Sequence, residues 1–249
     1  MLILGIESAT VQVGCAIGGH EGVLAAFHAS RRRRHVEALV PAIDFTARQA
    51  GVSLDELGAV AVDVGPGLFS GLRVGVTTAK TLAQTLRLPV IGVSSLDLLA
   101  FPVRFSSRLI VAAIDARRSE LFYAFYRQVP GGVQCLSGYH VGTPDDLVSE
   151  LVASGEDALL VGDGAVRYAD DFTDVARVEF AGPAHAYPSA TALVELAHPR
   201  ALREEFVAAS EVEPLYLRKT DAEINWSAGA GWGRGPSVPP ADDVGRQAS

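Results

Sequence analysis

Cysteine is scarce. Among 249 residues only Cys15 and Cys135 are thiols. Two cannot make a disulfide framework, and each sits inside an apolar stretch. Both read as small core residues in a reduced, cytoplasmic setting. Positive charge is also short. Twenty-one Lys and Arg against 29 Asp and Glu leave a net charge of −8, which argues against a free-standing nucleic-acid binder. No apolar run reaches the about 20 residues that span a membrane, so no membrane association is expected. The opening MLILGIESAT lacks a basic region and meets Glu7 early, unlike a signal peptide. Metal-ligand spacing is missing too. The histidines at 20, 28, 35, 140, 185 and 198 include no i, i+4 pair. No G-x-S-x-G nucleophile elbow occurs.

What is present is apolar material in short blocks. With 49% hydrophobic residues, the chain can bury a sizeable core as one domain or two. Apolar runs over 2–6, 11–17 and 23–29 read as a buried strand followed by a hairpin around Gly18-Gly19-His20-Glu21-Gly22. Helical spacing follows at Val36, Leu39, Val40, Ile43, Ala47 and Ala50, stopped by Gly51. A buried strand over 59–64, a long helix over 70–86, a strand over 89–93 and a short helix over 94–100 complete a first set. The pattern then begins again. Residues 108–115 echo the first strand and end in Asp115 as that one ends in Glu7. A hairpin over 121–128 and 132–141, a helix over 145–153 and a glycine-ended strand over 158–164 follow, with a late helix over 189–198. The expectation is two similar lobes, 1–105 and 106–225, the second degraded because nothing after Gly164 matches the long helix. The tail 226–249, rich in Gly, Pro and Ala, is expected to be disordered.

The segment from Asp63 to Leu86, DVGPGLFSGLRVGVTTAKTLAQTL, is the most pointed feature. Its loop, Gly65-Pro66-Gly67-Leu68-Phe69-Ser70-Gly71, misses the dinucleotide fingerprint by one residue and lacks the Gly-Lys-Ser/Thr of a P-loop. Two readings stand: amides at a helix N-terminus that hold an anion, or a tight turn capped by Ser70. Arg73 in the first helical turn opposes the helix dipole. It therefore needs an acidic partner or an anion, or points over another surface. No acidic residue lies between Asp63 and Asp97. Arg73, Lys80 and Arg87 form one basic stripe, and Leu72, Val74, Val76, Ala79, Leu82, Ala83 and Leu86 occupy most of the remaining circumference. Such a helix must be covered on two sides, by the sheet and by either a neighbouring helix or a partner. Gly71, Gly75 and Ala79 permit close helix approach.

Other chemistry is sparse. Glu7 and Asp115 end equivalent strands, and read either as carboxylates facing one cleft around a metal–nucleotide or as solvated turn residues. The run Arg31, Arg32, Arg33 and Arg34 has no interleaved aromatics and so no stacking platform for bases.

ILGIESAT, RRHVEALVPAID, GPGLFSGLRVGVTTAKTLA, VIGVSSLDLLA, AAIDARRSELFYAFY and EPLYLRK, in order over residues 1–219, resemble the TsaB (YeaZ) family of tRNA threonylcarbamoyladenosine biosynthesis. The resemblance implies an α/β fold of the actin-like ATPase-domain (ASKHA) group, with two ribonuclease-H-like lobes. It implies a non-catalytic subunit that supports a TsaD-like transferase together with a TsaE-like ATPase, acting on tRNA, with ATP and a divalent metal brought by partner subunits and none needed by the isolated chain. It also implies that the two helices of the first lobe form the partner contact and a possible homodimer. On this sequence that surface maps to His35, Val36, Leu39, Ile43, Leu72, Arg73, Gly75, Val76, Ala79, Lys80 and Ala83, and substitution at Gly75 or Val76 is expected to break the contact but not the fold. Glu7, Ser8, Thr10, Gly65, Gly67, Ser70, Gly71 and Asp115 would be a vestigial nucleotide or anion site, with no catalytic residue and no metal ligand. Glu7-Ser8 departs from the family's usual Asp-Thr, and Leu68 stands where a small polar residue is common. The alternative is an independent ATP-dependent kinase or transferase of this fold. A peptidase role, suggested by older glycoprotease-like labels, finds no metal pair or nucleophile here.

Overall fold

The computed structural model describes residues 1–30 and 35–218. The four arginines at 31–34 and the tail past Trp226 lie outside the described residues. Strands β1 (Leu2–Glu7) and β2 (Gln12–Gly19) are buried on both faces, whereas β3 (Gly22–Ser30) alternates exposed and half-buried residues, as an edge strand does. Helix α1 (His35–Ala50) turns Leu39, Ala42, Ile43 and Ala47 into the core, and Gly51, at φ +66°, ends it in the left-handed region. Then come β4 (Leu57–Gly65), α2 (Phe69–Leu86) and β5 (Val90–Ser94). The sheet order is β3-β2-β1-β4-β5, antiparallel through the hairpin and parallel from β1 to β5.

Helix α3 (Ser95–Ala100), capped by the Ser94 hydroxyl, leads to the second sheet. That sheet holds β6 (Leu109–Arg117), β7 (Glu120–Val129), β8 (Gly132–Cys135), β9 (His140–Gly142), β10 (Ala158–Val161) and β11 (Val178–Phe180), with α4 (Pro144–Ser154) and α5 (Asp163–Arg167) between them. Its order, β11-β10-β6-β7-β8, repeats the first sheet strand for strand. The counterpart of α2 is α5, only five residues long. The single strand expected over 132–141 is two short ones, broken around Gly138 at φ +76°. Both sheets belong to one compact unit, Met1–Leu217. This doubled arrangement is the actin-like ATPase-domain architecture.

The chain does not stay with the second sheet to its end. Helix α6 (Ala190–Leu202) returns to the first, packing Leu193, Ala197 and Ala201 on Ile3, Ala59, Ala61 and Ile91. Gly5 makes room, since a Cβ there would come within 2.9 Å of Val194. A strap then runs along α2. Val207 pairs with Val90, Lys80 Nζ donates to the Ser210 and Val212 carbonyls, Leu215 N–H donates to the Val64 carbonyl, and the Tyr216 ring meets Phe69 at a tilt of 35°, centroids 5.1 Å apart. The late helix therefore belongs to the first sheet and not to a lobe over 106–225.

Asp97 on α3 joins the halves. It accepts from the hydroxyls of Tyr126 (2.9 Å) and Tyr139 (3.2 Å) and lies 3.8 Å from Arg200. Burial raises its pKa against the opposing pull of Tyr126. The Tyr126 hydroxyl is itself pushed up by burial, and Tyr139 to about 12, chiefly by burial and then by the Asp97 charge. Asp97→Ala leaves the Tyr126 and Tyr139 hydroxyls without this acceptor and Arg200, which keeps the Gly92 carbonyl, without its ion-pair partner. Loss of about 1–3 kcal/mol of stability is expected, read as a lowered midpoint in urea unfolding, with Tyr139→Phe costing less.

Candidate functional site

The glycine loop is filled by the chain itself. The turn after β1 lies directly against the start of α2. Ala9 offers its carbonyl to Leu68 N–H at 2.6 Å, and the Ser8 hydroxyl donates to the Gly71 carbonyl at 2.8 Å. A side chain at Gly67 would strike the Ala9 carbonyl, one at Gly71 the Ser8 carbonyl, and one at Gly75 the Ser8 hydroxyl. These glycines are there for close approach of two backbone turns. The Leu68 amide already has an acceptor, so this turn is held by the chain's own carbonyl. Leu68, not Ser70, is the N-cap residue; Ser70 is exposed within the first turn. Gly65, at φ +104°, sits where only glycine is unstrained.

The carboxylates separate into two pairs. Glu7 is fully buried and takes the Ala9 N–H on Oε1; Thr10, buried beside it, accepts from Gln12 N–H. Asp63 takes Gly65 N–H and the Ser95 hydroxyl on Oδ1. Burial raises both, Asp63 to about 7, and the Asp63 charge raises Glu7 further. In the second half, Asp115 takes Arg117 and Arg167 guanidiniums at 2.8 and 3.2 Å, and its own N–H donates to Asp163. Burial pushes Asp163 up to about 6. Asp115, Arg117, Asp163 and Arg167 line a cleft of about 180 Å³ with Val11 and Tyr187. Glu7 does not line it. It follows Ile3 and Gly5 onto the face beneath α6, so Glu7 and Asp115 do not converge on one site. Among the described residues, no group of three or more His, Cys, Asp or Glu side chains could hold a metal ion. No described helix is long and apolar enough to cross a membrane. Sequence reasoning missed Asp63 and Asp163 as members of these pairs; their signal was a carboxylate at the end of each parallel strand.

The second candidate surface is formed by α1 and α2. Here the structure corrects the mapping. Leu39, Ile43, Leu72, Gly75, Val76, Ala79 and Ala83 point into the first core and are not available to a partner. Helix α2 lies between the sheet, α1 and the strap, so most of its apolar residues are covered within the chain, with Val74 and Leu82 partly so. Lys80 is engaged by the strap, and Arg73 lies over the Phe69 ring at 3.8 Å, which answers its place in the first turn. Helix α1 begins at His35 and Val36, whose side chains are outside the described set. What faces outward is different: Val40 (62% exposed), Pro41 and Phe45 (49%) on α1, and Arg73, Thr77, Thr81 and Thr85 on α2, flanked by Val74 and Leu82. The hydroxyls of Thr78, Thr81 and Thr85 each donate to the carbonyl four residues earlier.

The family model for TsaD, tRNA N6-adenosine threonylcarbamoyltransferase, matches residues 22–226. The TsaB protein of tRNA threonylcarbamoyladenosine biosynthesis from Haemophilus influenzae is 32% identical over 203 residues, covering 78% of this chain and 83% of that protein. The TsaB protein of Escherichia coli is 30% identical over 226 residues, covering 89% and 96%. A Pseudomonas aeruginosa crystal structure, described as similar to peptidase YeaZ, superposes with a TM-score of 0.76 at 26% identity over 87% of this chain and 99% of that one. With this likeness extending along nearly the whole of its relatives, the chain belongs to the TsaB (YeaZ) family of tRNA threonylcarbamoyladenosine biosynthesis proteins.

Proposed function

We propose that this chain is a non-catalytic subunit of the threonylcarbamoyl-transfer machinery, which binds and supports a TsaD-like transferase through the outer face of α1 and α2. A TsaE-like ATPase completes the assembly, tRNA is the substrate of the whole, and ATP and a divalent metal act through the partner subunits in the cytoplasm. The observation that carries the reading is the pairing of exposed Val40 and Phe45 with a helix whose outer threonines already satisfy most of their own hydroxyls. Large apolar side chains left exposed on one helix, beside a second helix with a mildly polar outer face, mark an interaction surface. The same face, presented by two copies, also suits a homodimer when the partner is absent.

Size exclusion with light scattering, on the chain alone and mixed with its cognate TsaD-like protein, tests this directly. A 1:1 heterodimer formed at the expense of any homodimer is expected; no association of folded proteins would refute it. Val40→Asp and Phe45→Asp are expected to weaken binding by about thirtyfold or more, the scale of a central contact, with the unfolding midpoint unchanged. Gly75→Arg and Val76→Asp act otherwise. Both positions are buried, so these variants are expected to lose the fold itself, visible in circular dichroism. Isothermal titration of the isolated chain with ATP and Mg²⁺ is expected to give no heat of binding, whereas micromolar affinity would favour the independent kinase or transferase.

A further inference from the structure

Strand ends bring the carboxylates of Glu7 and Asp63 side by side. β1 and β4 run parallel with Ile6 opposite Val62, so Glu7 and Asp63 are the next pair in register. Side chains alternate along a strand. Ile3 on β1, and Ala59 and Ala61 on β4, face α6, so Glu7 and Asp63 fall on that same face. Their exposures are 0% and 2%. Each uses one oxygen fully: Glu7 Oε1 on Ala9 N–H, Asp63 Oδ1 on Gly65 N–H and Ser95 Oγ–H. Each leaves the other oxygen, Oε2 and Oδ2, buried with no hydrogen-bond partner. The second sheet holds the equivalent pair, Asp115 and Asp163, and there Arg117 and Arg167 supply positive charge to Asp115. The first pair has no such supply. The charge acting on Glu7 is Asp63, and that acting on Asp63 is Asp97. Around them, α3 contributes Ser95 and Asp97, the two turns contribute only amides, and α6 presents apolar Leu193 and Val194, its Arg200 being turned to Asp97.

We propose that Glu7 and Asp63 share one buried proton, which joins their two otherwise unpartnered oxygens and pins together the turns that seat α2. Two ionised carboxylates at this place would bury two negative charges held only by amides and one hydroxyl, with no cation beside them among the described residues, and burying an ion costs several kcal/mol. One proton satisfies both orphan oxygens at once and leaves a single negative charge facing the Gly65 amide and the Ser95 hydroxyl. The consequence is an alkaline-sensitive seat for α2. A carboxyl whose folded pKa is raised keeps its proton in the native state after the unfolded chain has lost it. Stability is therefore fully present below the ordinary carboxylate range and declines as pH rises through the folded value. For Asp63 that value is about 7.

The test is urea unfolding of the full chain between about pH 5 and pH 9. One extra bound proton lowers the folding constant about tenfold per pH unit. Asp163, pushed up to about 6, titrates in the same range, so the difference between variants is the readout. The Glu7→Gln amide gives Asp63 a permanent N–H donor, and this variant is expected to lose up to a tenfold-per-unit share of the wild-type slope, as is Asp63→Asn. Equal slopes in all three proteins would overturn the proposal. Carboxyl carbon-13 NMR of the wild type needs no variant. Besides Asp163, one Glu or Asp signal is expected to stay protonated at about pH 6 in the wild type and to be lost or ionised in Glu7→Gln; complete ionisation of both residues by about pH 5, the ordinary carboxylate limit, would overturn the proposal. Mg²⁺ or a chelator is expected to change nothing. A slope abolished by added Mg²⁺ would place a metal ion, not a proton, between the oxygens and would equally overturn it.

Discussion

Two backbone turns touch where β1 ends and α2 begins, and the rest of the first half is arranged around that contact. Leu68 N–H rests on the Ala9 carbonyl while the Ser8 hydroxyl rests on the Gly71 carbonyl. Neither bond forms unless the helix comes within reach of a bare backbone, which Gly67, Gly71 and Gly75 allow. Once the helix is seated there, Val76, Ala79 and Ala83 meet β1 and β4, α1 packs alongside, and the strap closes the remaining flank through Lys80 and Val212. A loop with the outline of a phosphate cradle is thereby turned into a joint between two parts of the same chain.

This arrangement also explains how one architecture carries two different halves. In the first, a long α2 needs the glycine-lined seat and offers an outer face. In the second, α5 has five residues and no such face, while its strand-end carboxylates open onto the small cleft with Arg117 and Arg167. The two acidic pairs are alike in position and opposite in surroundings, one wrapped in protein and the other salt-bridged at the edge of a cavity. Asp97, reached by tyrosines of the second sheet and by Arg200 from α6, ties the halves at a residue belonging to the connecting helix.

Much of the fold was legible in the sequence because burial on both faces writes long apolar runs, as in LILGIE and LGAVAVDVG, and because Gly51 marks a helix end. The repeat was legible for the same reason. The orientation of α2 was not. Val76 and Ala79 are as apolar as an interface needs and as a core needs, and only the three-dimensional neighbours distinguish these. Lys80 looked like part of an exposed stripe, yet its ammonium caps carbonyls 130 and 132 positions further on, a distance that no local pattern encodes. The return of α6 is equally non-local. Its signal was the smallness of Gly5 and Gly14, which leaves room for a helix without naming which one. For Glu7 neither reading, cleft carboxylate or solvated turn residue, foresaw full burial, because the residues burying it lie in other elements.

The threonines of α2 have a physical consequence for how its outer side behaves. Each hydroxyl of Thr78, Thr81 and Thr85 is already bound to its own helix backbone, so the methyl group is what these residues turn away from the helix. Covering these threonines strips few hydrogen bonds from water, and uncovering them exposes only methyl groups. These positions are thus at ease both wet and dry.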